Sequence, residues 1–411
     1  MDKISFLNQC ENELKEMFDN LDDIAFYNQK KVLNAFQKES IELRHFYGST
    51  GYGNSDVGRD TLNKVFADVF GAEMAVVSPL ITCGTHALFL ALSSVLRPKD
   101  LVLSITGAPY DTLQEAIFGI EGKDNGSLKD FGIEFKIQNL FDNGHIDIDT
   151  TIKNIKNLSP RMIYIQRSRG YSIRSAISVE EIKDAIQAIR KINNDCLIFV
   201  DNCYGEFVEK VEPSDVGADL VVGSLCKNAG GGIVSTGGYI VGTKKAVKLV
   251  ECRLTAPSIC MEVGSYEAGY RLFYEGLFIA PSIVKNALKG AYLIGKVMEK
   301  LNFRVFPSSN EKSFDIVKSI FFNSEDELIK FVQLIQKCSP VDSDATPLPW
   351  EMPGYEDKVI MAAGTFVQGA SIELSCDSPI RAPYVAYFQG GLTYEHAKIV
   401  AENLIDTYGN N

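Results

Sequence analysis

The sequence predicts an α/β fold: a mainly parallel, doubly wound central sheet followed by a smaller C-terminal α+β domain. Apolar runs of strand length alternate with amphipathic helical segments between residues 60 and 250, an order typical of such sheets. Polar or glycine-rich segments follow several of these runs. Doubly wound folds bind ligands at the carboxyl ends of their strands, so we expect a ligand site at that edge.

The composition is that of a globular protein, with 45% hydrophobic and 23% charged residues. The net charge of -12 at pH 7 argues against nucleic acid or an anionic membrane as a partner. No apolar run reaches the roughly 18 residues of a membrane span. The N-terminal segment lacks the apolar region of a secretory signal.

Cysteine and histidine usage indicates the compartment and whether a metal site is expected. The nine cysteines contain no C-x-x-C pair, and the four histidines are scattered. This pattern favours reduced thiols over disulfides and makes a zinc site improbable. We therefore expect a cytoplasmic protein without a metal site.

Residues 1–59 are predicted to form a helical arm and a loop. Apolar residues recur at helical spacing up to about residue 45, and such an arm could pack on another subunit. The glycine-rich stretch that follows is predicted to be a loop. Its Tyr52 and Arg59 are suited to binding an anion, unless the loop is a plain surface connection.

Residues 60–285 form the predicted large domain, which contains a possible phosphate site. Gly84 and Thr85 follow a short strand, 74–78, and lead into an apolar helix. The open N–H groups at a helix start favour an anion, although many helices begin this way. Tyr110 follows the strand 101–105, and its ring either faces the same cleft or packs in the core.

Two further strand ends carry charged side chains. The apolar strand 196–200 ends at Asp201, and a buried carboxylate needs a cationic or N–H partner; a simple loop cap is the alternative. The apolar run 220–222 leads to Lys227 and three glycines. Burial would lower the pKa of this lysine and free its amine to form a Schiff base. The alternative is a surface lysine in a flexible turn.

Residues 286–411 form the predicted smaller domain. It follows two predicted helices at 268–278 and 282–298, the second of which crosses into it. Its strands are predicted at 303–306, 313–322, 370–376 and 385–388, and its other helices at 326–337 and 393–408.

With these motifs assembled, the chain resembles the fold type I pyridoxal-phosphate (PLP) enzymes. It is similar to the methionine gamma-lyase and cystathionine lyase relatives, in particular to the bacterial aluminium-resistance family. The motifs are Gly51-Tyr52-Gly53 with Gly58-Arg59-Asp60, Cys83-Gly84-Thr85-His86-Ala87, Pro109-Tyr110-Asp111-Thr112-Leu113, Val200-Asp201-Asn202-Cys203-Tyr204-Gly205, Ser224-Leu225-Cys226-Lys227-Asn228 and Gln389-Gly390-Gly391-Leu392. Each is weak alone, but their order and spacing are specific.

The resemblance implies a role for each predicted site residue. Lys227 would bind PLP as a Schiff base and then move protons on the substrate carbons. Asp201 would pair with the pyridinium nitrogen, and Tyr110 would stack on the ring. Gly84, Thr85 and Ser224 would bind the phosphate. Tyr52 and Arg59 would reach the phosphate from a neighbouring subunit, in a homotetramer of two active dimers.

Two positions depart from the family pattern. Relatives carry an arginine for the substrate carboxylate just before the strand that corresponds to residues 371–374, where this chain has Gly369-Ala370. We expect Arg381 to substitute, with Arg167 and Arg169 behind it. Cys226 stands where relatives often have a hydroxyl residue.

The resemblance implies a PLP-dependent carbon–sulfur lyase that acts on a sulfur amino acid and releases a thiol, an oxoacid and ammonia. Methionine is the first expected substrate, with cystathionine and homocysteine open, and Tyr110 would protonate the leaving thiol. The alternatives are another PLP reaction, such as transamination or gamma-replacement, and a non-catalytic binding protein with this fold.

Overall fold

A computed structural model describes residues 2–50, 56–352 and 355–409. Its large sheet has seven strands in the order β1-β7-β6-β5-β4-β2-β3. The strands are β1 Met74–Ser78, β2 Leu101–Ser104, β3 Glu134–Ile137, β4 Met162–Gln166, β5 Leu197–Asp201, β6 Leu220–Ser224 and β7 Gly238–Gly242. Strands β2 to β6 are parallel, and β7 is antiparallel to β6 and β1. The predicted doubly wound, mainly parallel sheet is confirmed.

Burial explains why the central strands read as continuous apolar runs. Every residue of β4, β6 and β7 is buried, because helices cover both faces of the sheet, whereas the edge strand β3 is mostly exposed. The helices are α1 Lys3–Glu13, α2 Lys15–Lys38, α3 Val57–Val69, α4 Gly84–Val95, α5 Asp111–Phe118, α6 Ile148–Leu158, α7 Val179–Arg190, α8 Lys244–Leu254, α9 Arg271–Lys300, α10 Glu325–Lys337 and α11 Tyr394–Tyr408.

A second, antiparallel sheet forms the smaller domain, in the order β10-β11-β12-β9-β8. Its strands are β8 Val305–Phe306, β9 Val317–Phe322, β10 Val359–Ala362, β11 Ser375–Pro379 and β12 Tyr384–Gln389. The predicted strand at 370–376 is wrong by about five residues at its start. Residues 371–374 form a turn and bends instead, and there the buried carboxylate of Glu373 accepts the backbone N–H groups of Phe366 and Val367, each at 2.9 Å.

Helix α9 joins the two domains. Two helices were predicted here, but one 30-residue helix runs through both hydrophobic cores with Pro281 inside it. The predicted domain boundary at residue 285 therefore falls within a continuous helix. By length and composition α9 could also cross a bilayer, but 61% of its apolar window is buried inside the protein, as expected for a core helix.

The N-terminal arm packs on both domains of its own chain. Leu7 and Cys10 of α1 belong to the core of the smaller domain, whereas Leu21 and Val32 of α2 belong to the core of the large domain. Helix α1 also contacts α11, since Lys3 pairs with Asp406 at 2.7 Å.

The cysteines are free, as predicted, and none of the nine forms a disulfide. Two of them are close neighbours: the Sγ atoms of Cys252 and Cys260 lie 2.8 Å apart. Cys252 lies in the last turn of α8, and Cys260 lies in the loop that follows it.

Candidate active site

The strand ends that the sequence singled out meet in one place. Tyr110, Asp201 and Lys227 line a single inner cavity of about 150 Å³, which opens at the carboxyl edge of the large sheet. A second cavity of about 440 Å³ shares Tyr110 and Lys227 and contains Gly84, Thr85 and Ser224. The two cavities together contain six of the predicted site residues, from four separate segments of the chain.

Lys227 projects from a tightly packed turn after β6. Its half-buried side chain places Nζ 4.1 Å from the centre of the Tyr204 ring. The glycines behind it leave no room for side chains: a Cβ at Gly230 would lie 1.7 Å from the carbonyl oxygen of Leu225. Gly231 adopts a φ of 59°, which favours glycine. The turn therefore holds the lysine in place, which excludes the alternative of a flexible surface turn.

The pKa of Lys227 differs from the sequence prediction. Burial acts to lower it, as expected, but nearby groups that can carry negative charge act in the opposite direction, and the net shift is upward. These groups belong to Cys203, Tyr204, Tyr110 and Asp201. The predicted lowering is therefore wrong, and the side chain is an ammonium ion near neutral pH.

Asp201 has both kinds of partner that a buried carboxylate requires. It ends β5 with 4% of its surface exposed, and it accepts the backbone N–H of Cys203 at 3.1 Å. Burial raises its pKa, while the charge of Lys227 and the bonds from Cys203 oppose that rise. The carboxylate and the ammonium thus act on each other across the same cavity.

The start of α4 forms a cradle for an anion. The helix begins at Gly84, where an added Cβ would lie 3.4 Å from the Cβ of Ser224 and 3.6 Å from the Sγ of Cys203. A longer side chain at this position would fill the cradle. The first N–H groups of a helix have no intrahelical partner and attract negative charge. Ser224 adds a hydroxyl at the same place, and its Oγ accepts the N–H of Cys226 at 3.2 Å.

Tyr110 bridges the cradle and the inner cavity. Its hydroxyl lies 2.6 Å from the hydroxyl of Thr85, and its N–H donates to the Oε1 of Gln166 at 2.8 Å. Burial raises the pKa of the phenol, so the hydroxyl keeps its proton near neutral pH. The interpretation of Tyr110 as a residue of the cleft is supported over that of a core aromatic.

The structure does not place Arg167 in the cleft. Its guanidinium is completely buried and donates to the carbonyl oxygens of Ile177 and Gly205 at 3.2 and 2.7 Å. It also forms an ion pair with Glu209 and lies 4.0 Å from Glu212. The prediction that Arg167 binds substrate therefore needs correction, because these internal partners occupy its donors.

Arg169 is buried in the same way. Its guanidinium pairs with Asp315 at 2.9 Å and donates to the carbonyl oxygen of Phe306 at 3.2 Å. Because Asp315 belongs to the smaller domain, this pair connects the two domains, and Arg169 also lines an outer cavity of about 310 Å³.

Arg381 lies at the mouth of the site. It lines two outer cavities, of about 730 and 310 Å³, which share Asp111 and Tyr171 with the inner cavity. Its half-exposed guanidinium pairs with Asp357 at 2.9 Å. Arg381 can therefore meet the outer end of a bound molecule, and its role in binding substrate stays a prediction.

Arg59, which is predicted to reach the phosphate from a neighbouring subunit, does not line these cavities. Tyr52 lies outside the described residues. Arg59 is 5% exposed, and its Nε donates to Asp60 at 2.9 Å. Its Nη1 has no hydrogen-bond partner within the described part of the chain. The role of both residues at the phosphate stays a prediction.

Sequence reasoning missed several residues that line the inner cavity. Tyr171, Tyr204, Tyr355 and Asp377 all face it. The sequence could have identified Asp377, since a carboxylate in a strand of buried residues is a signal in itself. It could not have placed Tyr204, because the φ of 71° at this residue lies in the left-handed region that tyrosine rarely adopts.

Glu206 is a carboxyl group near the site whose charged form is disfavoured by burial, and Lys227 is among the charges that oppose this effect. It is completely buried, and burial raises its pKa from 4.5 to about 8, although Tyr239 donates to its Oε1 at 2.9 Å. Because the folded protein keeps this proton while the unfolded chain loses it, the free energy of unfolding should fall as the pH rises from 4.5 to about 8. We expect Glu206→Gln to remove a few kcal/mol of that fall.

Urea unfolding of both proteins at about pH 5 and pH 8 measures this effect. The exposed Glu16→Gln is the matched control and should leave the pH dependence unchanged. An equal pH dependence in wild type and Glu206→Gln would show that Glu206 is ionised in the folded protein.

Comparison with known proteins shows which family the chain resembles over nearly its whole length. The family model for methionine gamma-lyase matches residues 3–409. The chain is 47% identical to the uncharacterized protein YnbB of Bacillus subtilis over 400 residues, which is 97% of this chain and 94% of YnbB. A carbon–sulfur lyase involved in aluminum resistance from Clostridium novyi NT is 47% identical, with a TM-score of 0.94 over 98% of this chain and 95% of that one.

Two more distant structures share the fold. A PLP-dependent protein from Escherichia coli, YhfS, has a TM-score of 0.63 at 14% identity, over 93% of this chain and 96% of that one. A methionine gamma lyase from Micromonospora echinospora has a TM-score of 0.57 at 16% identity, over 89% and 92%. The predicted fold type I architecture is confirmed, and the match over nearly the whole chain shows that this protein belongs to the methionine gamma-lyase family.

Proposed function

We propose that this protein is a PLP-dependent carbon–sulfur lyase that acts on a sulfur amino acid. The observation that carries the proposal is one cavity lined by both Lys227 and Asp201, next to the anion cradle at Gly84. The name of the Clostridium novyi relative, a carbon–sulfur lyase, supports the reaction class.

The residues present fit PLP. The cradle of Gly84, Thr85 and Ser224 suits its phosphate, and Lys227 can bond to its aldehyde carbon. Asp201 would hold a proton on the ring nitrogen. When bound, PLP supplies an electron sink for the carbanion that forms at the substrate's α-carbon.

The chain's own groups would then move the protons. The Lys227 amine would take the α-proton and return protons to the substrate carbons. Tyr110, which keeps its proton near neutral pH because burial raises its pKa, would protonate the sulfur as the carbon–sulfur bond breaks. Water then hydrolyses the remaining fragment to a 2-oxoacid and ammonia, and the sulfur group leaves as a thiol.

We also propose that two subunits complete each site, within a homotetramer. Arg59 is buried away from the Lys227 cavities, and its Nη1 lacks a hydrogen-bond partner among the described residues. Such a buried donor is costly unless another group satisfies it. A partner's bound phosphate would do so, in the arrangement that the family resemblance implies.

The test is a substrate panel with the cofactor-loaded protein. We expect methionine or cystathionine to release a thiol, or homocysteine to release hydrogen sulfide, together with ammonia and a 2-oxoacid in equal amounts. The thiol from methionine or cystathionine is measured with a disulfide reagent, whereas hydrogen sulfide from homocysteine, which is itself a thiol, is measured with lead acetate. Ammonia is measured with a coupled dehydrogenase, and the oxoacid as its hydrazone.

The same panel separates the alternative activities. Transamination would transfer the amino group, so an oxoacid without free ammonia or thiol would overturn the lyase proposal. Failure to bind PLP or to process any of the three amino acids would favour a non-catalytic role.

A further inference from the structure

Asp377 brings a carboxylate of the smaller domain to the inner cavity. It lies in β11 of the smaller domain and lines both cavities that contain Lys227. The Tyr171 hydroxyl donates to its Oδ2 at 3.1 Å. Tyr171 is held in turn, because its carbonyl oxygen accepts the Tyr387 hydroxyl at 2.6 Å and the two rings pack at 5.1 Å. The carboxylate is therefore fixed in position.

The charges around Asp377 are unbalanced. Burial raises its pKa to about 6, and Lys227 is the one cation that opposes this rise. Among the described residues, no arginine lines either of the two cavities that contain Lys227. The inner cavity holds three carboxylates, those of Asp111, Asp201 and Asp377, against one ammonium group.

This excess of negative charge determines which end of an amino acid is favoured in the inner cavity, since an amino acid carries one positive and one negative group. A buried carboxylate is stabilised by a cation within hydrogen-bond reach, so the amino group of an amino acid is favoured near Asp377. The acid group is disfavoured there for the same reason. Guanidinium groups line the outer cavities instead, and that of Arg381 is half-exposed there.

We propose that Asp377 is a substrate-binding residue that holds the cationic amino group of the amino acid beside Lys227, with the carboxylate directed outward. The inference rests on the proposed function for the identity of the substrate as an amino acid. It adds a contact on the smaller domain that selects the amino end of the substrate.

The test compares two probes that cannot displace Lys227 from the cofactor. N,N-dimethyl-L-methionine keeps the cation, and N-acetyl-L-methionine lacks it. Titration calorimetry with the cofactor-loaded protein should show tighter binding of the dimethyl compound. In Asp377→Asn we expect its Kd to rise about 10-fold or more, the loss of one charge-assisted hydrogen bond, while the Kd of the acetyl compound stays the same or falls.

Three further variants control the experiment. Asp377→Ser also removes the charge, with a smaller side chain, and replaces Asp377→Asn if that variant folds poorly. It should weaken binding of the dimethyl compound selectively, as Asp377→Asn does. Tyr171→Phe keeps the carboxylate but releases its hydrogen bond, so its effect should be smaller. Glu356→Gln, a carboxylate of the outer cavity alone, should leave both Kd values unchanged.

The outcomes separate this inference from the lyase proposal. An equal change in both Kd values, or no change for the dimethyl compound, overturns the role of Asp377 whether or not thiol is released. A selective loss in a protein that releases no thiol would support an amino-group subsite in an enzyme of another reaction.

Discussion

Replacement of Lys227 by alanine is expected to abolish the visible absorbance of the cofactor-loaded protein and to lower turnover about 10²–10⁴-fold. Among the described residues, Lys227 is the one lysine that lines the inner cavity or the second cavity, so its loss removes both the covalent attachment and the proton carrier. An absorbance spectrum and the thiol assay measure the two effects. Free PLP added back should not restore turnover.

A buried lysine of the smaller domain provides the control. Lys318 is 1% exposed, and burial lowers its pKa to about 7, but it donates to the carbonyl oxygens of Pro307 and Ser308 inside the smaller domain. Lys318→Met should keep the visible absorbance. Borohydride reduction followed by peptide mapping should label Lys227, and a label on Lys318 would contradict the site.

The largest expected effect on stability comes from Arg167→Ala. Removal of one partner from a buried ion pair leaves the other uncompensated, which typically costs about 3–5 kcal/mol. Here Glu209 would lose its ion pair, and Glu212 would lose the nearby positive charge. Urea unfolding at neutral pH should therefore show a large fall in the free energy of unfolding.

The contrast with Arg381 makes this a test of the corrected role. Arg381→Ala removes an exposed ion pair, which should cost less than about 1 kcal/mol, and it should act on KM instead. If Arg167→Ala left stability unchanged but raised KM, the original prediction of Arg167 as a substrate-binding residue would be restored.

The large sheet and the core of the site were predictable from the chain. Buried parallel strands appear as continuous apolar runs, and the topology brings their carboxyl ends to one edge. Asp201 and Lys227 could therefore be assigned to one cleft without knowledge of any distance between them. The positions of these residues followed from local patterns of four to six residues.

The unsuccessful predictions involve contacts between distant segments. The arginines at 167 and 169 look suited to binding anions, but their partners are Glu209 and Asp315, which only the folded chain brings to them. The break predicted near Pro281 was also wrong, because the packing of α9 in both cores outweighs the hydrogen bond that proline removes. The direction of the Lys227 pKa shift likewise depended on residues from distant segments of the chain, among them Tyr110 and Asp201.

The contact between α1 and α11 has a consequence for how the chain is made. Lys3 pairs with Asp406, and Glu11 accepts bonds from Tyr394 and Lys398. During synthesis these residues emerge 383 to 403 positions before their partners. The core of the smaller domain, which includes Leu7 and Cys10, can therefore be completed only after α11 has left the ribosome, although α1 can already pack on α9 before then.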